Sequence, residues 1–87
     1  MPDSAAEQFY SDVFLPAIEE VLVPLFVAGF ADREHAAVCK DRLVRLHQLR
    51  RLELSDKVAR LAFDRFAVAR LRAEFARIDR HVAASRT

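Results

Sequence analysis

Apolar residues in the last third of this chain recur at a spacing that a helix gathers onto one side. Leu61, Val68, Phe75 and Val82 stand seven residues apart, and Leu71 and Ile78 lie three beyond two of them. No Gly or Pro interrupts the stretch from Ser55 to Ala84, so the pattern predicts a helix over 56–84. Leu61, Val68, Leu71, Phe75 and Ile78 are expected to form its internal seam. Across from them, Ala62, Ala69, Ala73 and Ala76, with Phe66 among them, make a milder stripe that another backbone could approach closely. Asp64 occupies the heptad slot before Leu71. A lone acid there can pair with a basic side chain of a partner helix and set its register.

The N-terminal segment is patterned differently. Ser4 and Glu7 have capping-box spacing, and Phe9, Val13 and Phe14 give one apolar face. Pro16 lacks a backbone donor and crowds the carbonyl four residues back, which predicts a kink near Leu15, and Pro24 repeats the problem. Residues 5–28 are therefore expected to be one twice-kinked helix or two short ones. From Val21 to Ala31, eleven residues carry no charge and no polar side chain. A bilayer span needs roughly twenty residues, so this run is expected to be enclosed by protein.

Gly29 stands where a left-handed C-cap belongs, and Asp32 suits the N-cap of a second helix over 33–53. The main stripe of that helix is Ala36, Cys39, Leu43 and Leu46, with Val38, Leu49 and Leu52 on the opposite side. Across Leu54-Ser55-Asp56 two readings compete. Ser55 can cap a third helix, or helix can run straight through for about fifty residues, about 75 Å at 1.5 Å per residue. The turn is the favoured reading.

These elements predict an all-α fold: a single domain over 1–87, built as a small three-helix bundle or helical hairpin with a Pro-kinked first helix. Composition strengthens the helical reading. One Gly in 87 residues leaves almost no turn vocabulary, while 53% of the chain is apolar. A chain this short buries a modest core, and three helices have difficulty enclosing the Val21–Ala31 run. A homo-oligomer, expected to be a dimer, would complete its burial.

Charge is divided along the chain. Through Glu34, seven acids face Arg33 alone, a net of −6; from His35 onward, thirteen Lys or Arg face six acids, a net of +7. Such halves attract each other within one chain or between two. Cys39 is the only cysteine, which excludes an intrachain disulfide and suits a reducing, cytoplasmic setting. Acids rather than bases precede the apolar run, unlike a signal peptide.

Candidate chemistry is sparse. His35 and Cys39, four apart, could share a metal ion from one helix face, but no further ligand has matching spacing, so neither metal nor cofactor is expected. No nucleophile-and-base motif or Gly-rich phosphate loop occurs, and no catalytic residues are assigned. The expected function is a non-enzymatic protein–protein interaction module, a small self-associating adaptor or regulatory protein. Its partner- or dimer-facing surface is placed on Phe14, Leu22, Leu25, Phe26 and Phe30. The alternative is a nucleic-acid-binding regulator in which Arg42, Arg45, Arg50 and Arg51 contact phosphates. Several arginines have a carboxylate at helical spacing, among them Asp41 with Arg45 and Arg70 with Glu74, which weakens that alternative. A membrane partner is not expected.

Overall fold

A computed structural model describes residues 2–28 and 33–84 of the chain. Three helices, and no strand among the described residues, make the fold all-α. The first helix is assembled from Pro2–Phe9, a wider π turn at Tyr10–Phe14, and Leu15–Ala28. It already includes Ser4, so the capping box expected there is not the start. The π turn has a local cause. Pro16 has no N–H to give the carbonyl of Asp12, and its ring would crowd that carbonyl in a regular turn. Here the Leu15 N–H bonds instead to the Tyr10 oxygen, five residues back, and the widened turn accommodates the ring.

Arg33–Arg51 forms the second helix and Lys57–Ala84 the third. Helix stops between them, as the turn reading requires. Glu53 and Leu54 donate their N–H groups to the Arg50 and Arg51 carbonyls at 3.0 and 3.2 Å. Arg60 then reaches back across the turn, its Nε and Nη2 donating to the Leu54 carbonyl at 3.1 and 2.7 Å. The cap of the third helix is Asp56 rather than Ser55: its Oδ2 accepts the Ala59 N–H at 3.2 Å. Gly29 and Asp32, expected to cap helices, lie outside the described residues.

Contacts along the helices give their directions. The first and third run parallel, since Phe9 meets Phe63 near one end and Phe26 meets His81 near the other. The second is antiparallel to both, pairing Lys40 with Asp79 and Arg51 with Asp64. The bundle measures 48 × 17 × 17 Å with a radius of gyration of 14.2 Å. A compact globule of this length would give about 12 Å, so the molecule is a rod with much lateral surface.

The core comprises Ala6, Phe14, Ile18 and Leu22 from the first helix and Ala36, Cys39 and Leu43 from the second. Ala62, Phe63, Ala67, Leu71, Ile78 and Val82 come from the third. This corrects the seam read from the heptad pattern. Leu61 and Val68 are 52% and 39% exposed, while the unremarked Phe63 and Ala67 are fully buried. The reason is rotational. An exact seven-residue repeat drifts about 20° per heptad around a straight helix. Val82 and Ile78 fall on the buried face, but each heptad towards the N-terminus carries the stripe farther from it. The true inward track is Ala59, Phe63, Ala67, Leu71, Glu74, Ile78 and Val82, stepping mostly by four.

Small residues decide where the helices touch. Ala6, Ala59, Ala62 and Ala67 are all buried, and there Pro2–Phe9 lies close along the third helix. Farther on, the third helix carries Arg70, Glu74, Arg77 and His81 toward the first. Leu15–Ala28 packs instead on the second helix.

Candidate interaction surface

At the end of the bundle where the second and third helices join, aromatic rings close the interior. Phe63 meets Phe9 and Phe14 edge to face, each at 5.1 Å between ring centres. Tyr10 stacks on Phe66 at 5.5 Å. The His47 ring lies 6.1 Å from Phe14 and 5.7 Å from Phe63. Such pairs add to area burial through the ring quadrupoles.

Against this cluster Asp64 collects two cationic or polar neighbours from the second helix. Arg51 donates from Nε to Oδ1 at 3.0 Å and from Nη2 to Oδ2 at 2.9 Å, a two-pronged bond. His47 Nε2 lies 2.8 Å from Oδ1. An ionised carboxylate only accepts, so this nitrogen carries the proton. The Arg51 bond, aided by His47, holds the Asp64 carboxyl below the usual range although partial burial opposes it. Asp64 thus pairs with a neighbouring helix of its own chain.

Toward the other end, an open groove of about 370 Å³ lies between the first and third helices. Ile18, Leu22 and Phe26 supply its apolar wall and Val23 and Val27 its rim. Val23 is 55% and Val27 83% exposed. Arg70 and Arg77 stand on the facing side, with the Arg77 guanidinium 4.2 Å from the centre of the Phe26 ring. Both arginines turn to Glu74, Arg70 Nε at 3.0 Å and Arg77 Nη1 at 3.5 Å. Glu74 is 4% exposed, and a buried carboxylate needs such partners. Two guanidinium groups share one carboxylate there, and Glu19 in the same lining balances the remaining positive charge. Glu19, at its margin, and Glu20 are exposed acids on the first helix.

The surface read from the sequence is redistributed by this geometry. Phe14 and Leu22 are core residues, 0% and 4% exposed; Leu22 also contributes to the groove wall, and Phe14 does not. This corrects the assignment of Phe14, which the helical phase points into the core. Phe26 is half-buried and lines the groove. The Leu25 side chain and Phe30 lie outside the described residues. Sequence reasoning passed over Val23 and Val27 as rim residues, although both belong to the apolar run it singled out.

Of the arginines read as phosphate contacts, Arg51 is committed to Asp64 and Arg50 to Glu53 at 2.9 Å. Arg45 faces Asp41 at 3.2 Å, and Arg42 is exposed. Cys39 is 1% exposed; burial pushes its thiol up, Arg42 opposing and Glu74 reinforcing. Among the described residues no group of three or more His, Cys, Asp or Glu is placed to hold a metal ion. No helix among them is long and apolar enough to cross a membrane. Comparisons with known protein families, characterised proteins and solved structures return no match for this chain.

Proposed function

We propose that this protein is a non-enzymatic interaction module, a small helical adaptor or regulatory protein that associates with itself. The observation that carries this reading is the groove between the first and third helices. Its wall is apolar, its rim places Val23 and Val27 in water, and charged groups of both signs flank it. Covering such a rim removes apolar surface from solvent, worth roughly 25 cal/mol per Å² before the costs of association. Three of the four arginines set aside for phosphate already face carboxylates of the chain. That favours a protein partner over nucleic acid, whose binding draws on uncommitted cations.

Light scattering across a concentration series tests the reading. The chain has a mass of 9.9 kDa, and the expected result is a species of twice that mass which dissociates on dilution. A constant 9.9 kDa at every concentration would remove self-association from the proposal.

A further inference from the structure

We draw no further inference here: the strongest candidate, the exposed face of the third helix on which Val58, Leu61 and Val68 lie in line with Arg65 and Arg72, is an unpartnered surface and nothing in the structure shows what covers it.

Discussion

The two ends of the bundle bring the same pair of helices together in opposite ways. At one end, Phe9, Tyr10 and Phe14 of the first helix interlock with Phe63 and Phe66 of the third. Buried alanines let the backbones approach there. At the other end, Arg70, Glu74 and Arg77 stand between the helices, and Val23 and Val27 face water. The first arrangement holds the fold together from within. The second leaves the apolar surface of Val23 and Val27 in water. On the function proposed above, stability and recognition are separable along the rod, and substitutions at the two ends should have different readouts.

The largest expected effect is at the closed end. Phe63 is fully buried and touches Phe9, Phe14 and His47. Phe63→Ala should lower unfolding free energy by about 3–5 kcal/mol, read from urea denaturation at fixed protein concentration. In a domain of this size that is enough to leave much of the chain unfolded. A loss below about 1 kcal/mol would mean that the aromatic cluster contributes little and that the ends are alike.

An intermediate effect belongs to Asp64. Asp64→Ala removes the acceptor shared by Arg51 and His47 and should cost about 1–2 kcal/mol, since both donors can turn to water. Its pH dependence has a definite sign. The carboxyl titrates lower in the folded chain than the ordinary value of about 3.9. Its stabilisation is thus complete above that value and is lost as pH falls through the lower, folded one. Comparing acid unfolding of the wild type and Asp64→Asn checks this: the variant should lack that part of the acid-side loss. Identical acid-side slopes would remove Asp64 from the account.

The smallest effect tests the corrected third-helix face. Leu61→Lys, at a site 52% exposed, should change stability by no more than about 0.5 kcal/mol. Leu71→Lys, at 7% exposure, should be severely destabilising because it buries an amine without a partner. Equal losses at the two positions would restore the heptad seam.

Local patterns made much of the fold legible. Helical spacing and the near absence of Gly point to an all-α chain. The inward stripe of the second helix holds at Ala36, Cys39 and Leu43, with Leu46 half-buried. What escaped depends on rotation and distance. Counting in sevens passes over Phe63, because the inward track of the third helix advances mostly in fours. Phe14 and Leu22 look equally suited to a core or an interface until the helix phase is known. The groove was hidden because it is long-range: its lining joins Ile18, Leu22 and Phe26 of one helix to Arg70 and Arg77 of another. Single-helix patterns carry no such information.

The π turn at Tyr10–Phe14 acts as a phase shifter. The extra residue in its wide turn changes the rotation between the segments on either side, and both Ala6 before it and Ile18 after it are fully buried. Before the turn the helix lies along the third helix, and after it along the second. A single surplus residue can thus reassign a helix from one neighbour to another without altering any loop. Insertions or deletions between Tyr10 and Pro16 would therefore rotate Ile18 and Leu22 off the buried face.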